Sequence, residues 1–461
     1  MKKKKGEDDL RRVFCAIFCL LFLVSCTTAE PVLPPVTPEQ SPTDSPSDEQ
    51  VQTPSVPTTD EEAEAPSEQE KRLTYLDEVP TVEIVTEGGA PVADKVNYVP
   101  AQMKIGDEVY SLGIRGRGNA SWNQFPKKAY RLKLDEGAPL FGLPQNRDWV
   151  LVSNYADKTL VRNCVAHTAA TVLSGLDYTP THIPVHLKLN GEYLGVYTFA
   201  DKIEEGNGRL DLGRTEGGED VGFLLEIGWD FDGENVYNRD YFDTDMVLRI
   251  YVKEPEIKVK NSPEFLYAKG YVLQMEEAVV ADGDWEQYID VDSWVDWFIL
   301  NELTFNTESS FYRSCYLWRP SGGKLHLGPV WDFDMAFGNH LGDLAGYDGY
   351  CTTESTYQYI TENWMDHLLR SPRFTARVKA RWNEVREKLL SVSLGALDEY
   401  SALLSQAQEQ NFERWNIMNV RVGVASVDPE RYYTYDLQVG YVREFIKTRH
   451  AYLDERINRE M

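Results

Sequence analysis

Apolar and polar positions alternate with period two in several short stretches of the first half of the chain, then give way to a helical period towards its end. Thr81-Val-Glu-Ile-Val-Thr, Tyr110-Ser-Leu-Gly-Ile-Arg and Ala129-Tyr-Arg-Leu-Lys-Leu alternate, which predicts strands with one buried face. His182 to Ala200 predicts a hairpin, because apolar alternation flanks Asn190-Gly191, a dipeptide that accepts the positive φ of a two-residue turn. Gly222 to Trp229 reads as another strand, and Ser314 to Trp318 with Leu325 to Val330 as a strand pair around Ser321-Gly-Gly. Helical spacing predicts a helix over 158 to 174, through Leu160, Val161, Cys164, Val165, Thr168 and Val172. A second helix is predicted over 292 to 303, capped by Asp292 or Ser293. From about residue 362 to 458 the pattern is helical, with Val442, Phe445, Ile446, Leu453 and Ile457 on one face of the last helix. A strand-rich N-terminal part followed by a helical C-terminal part predicts an α+β fold.

The N-terminus changes the setting. Lys2 to Lys5, Arg11 and Arg12 precede an apolar run over residues 13 to 25, and Cys26 follows. That run is shorter than the ~20 residues a membrane helix needs, so residues 1–26 read as an export signal. Leu23-Val24-Ser25-Cys26 resembles the lipobox of bacterial lipoproteins. The resemblance implies that Cys26 is lipidated and anchors the protein on the extracytoplasmic face of the membrane. Stable anchoring takes more than one acyl chain. Residues 27–72 are dense in Pro, Ser, Thr and Glu and nearly lack large apolar side chains, so they read as a disordered, extended stalk. The folded part is then 73–461.

Charge narrows the partners. The formal net charge is −27; the signal carries six bases and three acids, the stalk eleven acids and two bases, which leaves the folded part near −21. Such a surface argues against nucleic acid and anionic membranes as partners. Cys164, Cys315 and Cys351 are too few for a disulfide framework. His167, His182 and His186 have no recognised ligand spacing and read as structural.

Two stretches carry chemistry. In Gly328-Pro-Val-Trp-Asp-Phe-Asp-Met-Ala-Phe-Gly338, Asp332 and Asp334 sit among aromatic and apolar residues. A carboxylate there is costly unless it meets a cation or a donor. In an extended chain the two would project to one side, and a pair of carboxylates suits Mg2+ that also holds phosphate oxygens. They could equally cap a helix or pair with an arginine. In Arg115-Gly-Arg-Gly-Asn-Ala-Ser-Trp-Asn-Gln-Phe-Pro-Lys127-Lys128-Ala-Tyr-Arg, glycines would let backbone N–H groups approach a polyanion. Arg115, Arg117, Lys127, Lys128 and Arg131 place positive charge against the acidic trend of the chain. The alternative is a hairpin whose bases pair with surface acids.

These stretches, together with Asn154-Tyr-Ala-Asp-Lys-Thr-Leu-Val-Arg-Asn163, Leu189-Asn-Gly-Glu-Tyr-Leu-Gly-Val-Tyr197 and Asn301-Glu-Leu-Thr, resemble in order the spore coat protein H (CotH) kinase family. The resemblance implies an atypical protein-kinase-like fold, binding of ATP with Mg2+ or Mn2+, and transfer of phosphate to Ser or Thr of a partner protein. It implies that Lys127 or Lys128 contacts phosphates and that Asp332 holds the metal. The chain departs from the family pattern where the catalytic acid of an Asn-x-Asp segment is Glu308, in Asn306-Thr-Glu. Ser314 stands where some members carry a metal-binding Asn, and Asp201 where a Glu is common. A non-catalytic surface adhesion or envelope-scaffold protein on the same fold is the alternative expectation.

Overall fold

A computed structural model describes residues 78–228, 240–308, 311–340, 348–353 and 362–461. The expectations for the signal, Cys26 and the stalk lie outside the described residues, as does Trp229. The described part belongs to one unit, Ala65–Met461.

Seven strands close a barrel. They are β1 (Thr81–Thr86), β2 (Val99–Ile105), β3 (Glu108–Arg117), β4 (Ala129–Ala138), β5 (Asn146–Val152), β6 (His182–Leu189) and β7 (Glu192–Asp201), in the order β1-β2-β3-β4-β5-β7-β6. A parallel pairing of β1 with β6 makes the closure, with Thr81 opposite His186. Alternation explains the wall. On β4, Tyr130, Leu132 and Leu134 enter the barrel core with Ile84, Ile114, Trp149 and Phe199, while Arg131 points out to Asp148 at 2.6 Å. The β6–β7 hairpin turns at Asn190 (φ 53°) and Gly191 (φ 81°), as the dipeptide predicts. Between β3 and β4 runs the four-residue helix α1 (Ala120–Asn123).

A second sheet has the order β12-β11-β8-β10-β9, made of β8 (Phe223–Ile227), β9 (Tyr241–Asp243), β10 (Arg249–Glu254), β11 (Cys315–Arg319) and β12 (His326–Leu327). One face, with Phe223, Leu225 and Ile227, packs into the helical core. Leu224, on the other face, meets Val150 and Ala200 of the barrel and Trp331. The second sheet and the barrel thus share a small apolar seam.

Helices α2 (Arg162–Ala170), α3 (Pro263–Val280), α4 (Val291–Thr304), α5 (Trp364–Leu368), α6 (Pro372–Leu403), α7 (Ala407–Arg414) and α8 (Tyr435–Glu460) complete the α+β fold. Val442, Phe445, Ile446, Leu453 and Ile457 of α8 are all buried. Several boundaries differ from the sequence expectation. Helix α4 is capped by Asp290, whose carboxylate accepts the Ser293 N–H at 2.9 Å, and not by Asp292 or Ser293. Helix α2 starts four residues late because Asp157 accepts the N–H groups of Thr159 and Arg162 and holds a turn there. The C-terminal region is interrupted by a non-helical segment over 415–434. Helix α3, announced by Ser262 at its N-cap and Pro263 in its first turn, is an element the periodicity reading missed. The three cysteines of the described part are buried, and none forms a disulfide among the described residues.

Candidate functional site

The acid-bearing run does not continue strand β12. The chain leaves the sheet at Gly328 (φ 135°), and Asp332 takes a left-handed φ of 67°. This corrects the expectation of an extended segment. A non-glycine residue in that region needs surroundings that hold it there, and several do. The Asn163 side-chain carbonyl accepts the Phe333 N–H at 2.8 Å. The Asn306 amide donates to the Asp332 carbonyl at 3.3 Å. Arg162 Nε donates to the Ala336 carbonyl at 3.1 Å, and the Phe337 N–H donates to the Thr304 carbonyl at 2.7 Å. The block Asn154 to Asn163 therefore underlies the acid loop: Asn154 receives the Asn163 amide at 3.2 Å and donates to Thr198 Oγ1 of β7 at 2.7 Å.

The loop brings acids from separate segments together. Glu308, Asp332 and Asp334 each feel the others' charge. Burial, then the charge of Asp332, pushes Glu308 up to about 7, and Arg313 at 4.0 Å only partly opposes this. Burial also raises Asp332, against Arg117 and a hydrogen bond from Ser314 Oγ at 3.1 Å. Asp334 is held well above the usual carboxylate range, through burial and then Asp332, Glu308 and Asp157. Asp332 and Asp334 keep part of their surface in solvent. Carboxyls that repel one another in a water-poor site are suited to a cation. Among the described residues no three or more His, Cys, Asp or Glu side chains form a metal cage. The fit is with a hard cation held by one or two carboxylates that completes its shell elsewhere.

Of the expected cations, Arg117 is the one whose charge acts on Asp332, and its guanidinium lies 5.7 Å from the Trp331 ring centre. The others have partners of their own, and Lys127 feels the charge of Asp157. Arg115 donates to the Lys95 carbonyl and lies over Tyr98. Lys128 donates to the Trp122 carbonyl. Lys127 is buried in the barrel wall, donating to the Val196 carbonyl at 2.5 Å and to Asn411 Oδ1 of α7 at 2.8 Å, 4.8 Å from the Tyr197 ring centre. Burial drives its pKa well below the usual lysine range. Asp201 accepts the Thr181 N–H at 3.0 Å and pairs with Arg209 at 3.2 Å. The glycines are used for packing: a Cβ on Gly118 (φ 84°) would fall 2.1 Å from Ser121 Oγ of α1.

Two neighbours escaped the sequence reading. Glu226 of β8 adds to the negative field at Asp332 and pairs with Lys253 at 2.8 Å. Its cross-strand neighbour Tyr316 has its phenol pushed up by burial and by Glu226. An acid inside the apolar run Phe223-Leu-Leu-Glu-Ile was the available signal. Beneath the loop, His167 and His182 stack at 3.7 Å against Trp331 and Phe333. An open groove of about 840 Å³ lies elsewhere, between the β1–β6 seam and α7.

Fold and site together define an α+β protein whose closed barrel faces a loop of mutually repelling carboxylates. A family model described as CotH kinase protein matches residues 114–453, and the chain belongs to that family. No curated protein matches it.

Proposed function

We infer that this chain is an exported, lipid-anchored protein that transfers the γ-phosphoryl group of ATP to a Ser or Thr hydroxyl of a partner protein. The observation that carries this reading is the convergence of Glu308, Asp332 and Asp334, from two separate stretches, with Arg117 acting on Asp332 from the barrel. The domain's kinase-like character rests on the same convergence. Asp332 and Asp334 would hold Mg2+ or Mn2+, which supplies charge neutralisation on the phosphates when bound. Arg117 would face phosphate oxygens, a task its planar donor fork suits. Glu308 would accept the acceptor hydroxyl's proton as that oxygen bonds to the γ-phosphorus and the bond to the ADP oxygen breaks. A carboxylate raised to about 7 is matched to that task near neutral pH.

Full-length protein incubated with radiolabelled ATP and Mg2+ or Mn2+ should label itself or a co-purified surface protein. A wild type that binds no Mg-ATP by calorimetry refutes the reading. A non-catalytic envelope scaffold then takes its place; Glu308, where the family carries Asp, is the residue that favours that outcome. Anchoring has its own test: Cys26→Ala should release the protein from the membrane or block maturation, and mature protein that stays membrane-bound refutes it.

A further inference from the structure

Asp332 and Asp334 lie on either side of Phe333, and the peptide that joins Asp332 to Phe333 is gripped from both sides. Its N–H is held by Asn163 Oδ1 at 2.8 Å and its carbonyl by Asn306 Nδ2 at 3.3 Å. The two asparagines come from unrelated parts of the chain, the first residues of α2 and the segment after α4, and both are buried. An uncompensated turn about ψ of Asp332 or φ of Phe333 would change the separation of the Asp332 and Asp334 side chains, and it would break these two hydrogen bonds. The backbone is already in a region where a non-glycine residue needs support, with φ 67° at Asp332. Behind Asn163 the support runs through Asn154 to Thr198 on the barrel.

We propose that Asn163 and Asn306 are positioning residues that clamp the Asp332–Phe333 peptide and thereby set the two carboxylates for a divalent cation. The inference rests on the reading of the acid loop as a metal site and names what keeps that site in shape. It also gives a task to two buried asparagines from distant parts of the chain. Outer partners of metal ligands are worth roughly ten- to a hundredfold in affinity.

The test measures Mn2+ binding to the full chain by electron paramagnetic resonance, with and without ADP, beside thermal unfolding. Asn163→Leu and Asn306→Leu should each weaken Mn2+ binding by roughly tenfold. The double variant should be little worse than either, because freeing one side already releases the same peptide. Asn163→Asp keeps an acceptor for the Phe333 N–H but gives up the donor to Asn154, so its loss should be smaller than that of Asn163→Leu. Leucine variants that lower the melting temperature but leave Mn2+ affinity unchanged would overturn the proposal. So would fully additive losses in the double variant, or an Asn163→Asp loss as large as that of Asn163→Leu. A wild type that binds neither Mn2+ nor ADP is a different result: it removes the metal-site reading itself, and the clamp with it.

Discussion

Glu302 and Glu308 lie six residues apart, one fully buried and one half-buried, and both have an arginine nearby, yet they serve opposite ends. Glu302 is fully buried on α4 and paired with Arg449 of α8 at 2.6 Å. It also accepts the N–H groups of Cys351 and Thr352 at 3.0 and 2.9 Å and the Thr352 hydroxyl. Burial raises its pKa, and each of these partners pulls it back. The Glu308 carboxylate has the Arg313 guanidinium at 4.0 Å and the charges of Asp332 and Asp334 against it besides. A charge whose lone pairs are filled by the protein is part of the architecture; a charge that repels its neighbours is one a bound cation would satisfy.

The largest expected effect tests the satisfied side of this comparison. Arg449→Met strands Glu302, and removing one partner of a buried pair costs about 3–5 kcal/mol. Urea unfolding should show that loss, while Glu308→Gln, which relieves repulsion, should leave stability unchanged or slightly higher. Equal losses in the two variants would erase the distinction.

The second effect is on chemistry. If Glu308 takes the hydroxyl proton, Glu308→Gln should cut transfer by about 10²–10⁴-fold, the usual worth of a general base. Mg-ATP affinity should hold, since the base acts on the acceptor. In wild type, kcat/KM should fall as pH drops below about 7, where Glu308 becomes protonated. Glu308→Asp, with the family's side chain, should keep that acid limb at lower pH and match or exceed wild-type activity. A Gln variant with an unchanged pH profile would remove Glu308 from the reaction.

How much of this was legible depended on the range of the contacts. The Asn190-Gly191 hairpin, the alternation of β4 and the apolar face of α8 are local patterns, and they appear where expected. Asp332 and Asp334 were visible as acids in an apolar run. Their backbone conformation was not, because it is imposed by Asn163, 170 residues from Phe333 in sequence. Lys127 and Lys128 look equivalent in the sequence. Only α7, nearly 300 residues downstream, decides that Lys127 is enclosed.

The third effect is on stability against pH and concerns the floor under the acid loop. Burial keeps both His167 and His182 neutral, His182 down to about 3, with Arg117 nearby opposing protonation of His182. A group whose folded pKa is depressed adds stability above its unfolded pKa and loses it as the unfolded chain protonates. For an unfolded histidine near 6.5, going from pH 7.5 to 5.5 should cost about 1.4 kcal/mol each. His182→Phe, measured by chemical unfolding at the two pH values, should remove about half of that slope. A slope unchanged by this substitution would place the acid sensitivity elsewhere.

The smallest effect separates the two basic residues that the family resemblance and the geometry rank differently. Lys127 is hydrogen-bonded to neutral partners, with Asp157 the acid whose charge reaches it, so Lys127→Met should relieve the burial of a charge while leaving the Val196 carbonyl and Asn411 Oδ1 short of a donor. These terms oppose each other, and a lost hydrogen bond in a buried place is worth about 1–3 kcal/mol, so the net change should be about 1 kcal/mol or less. Since its ammonium faces α7, Mg-ATP affinity should stay within about twofold, whereas Arg117→Met should weaken it by tenfold or more, as loss of a charged hydrogen-bond partner does. Calorimetry on the two variants decides the order. If Lys127→Met loses the nucleotide and Arg117→Met keeps it, the enclosed lysine must leave its pocket to bind phosphate, and the division drawn here between satisfied and waiting charges fails on the barrel side.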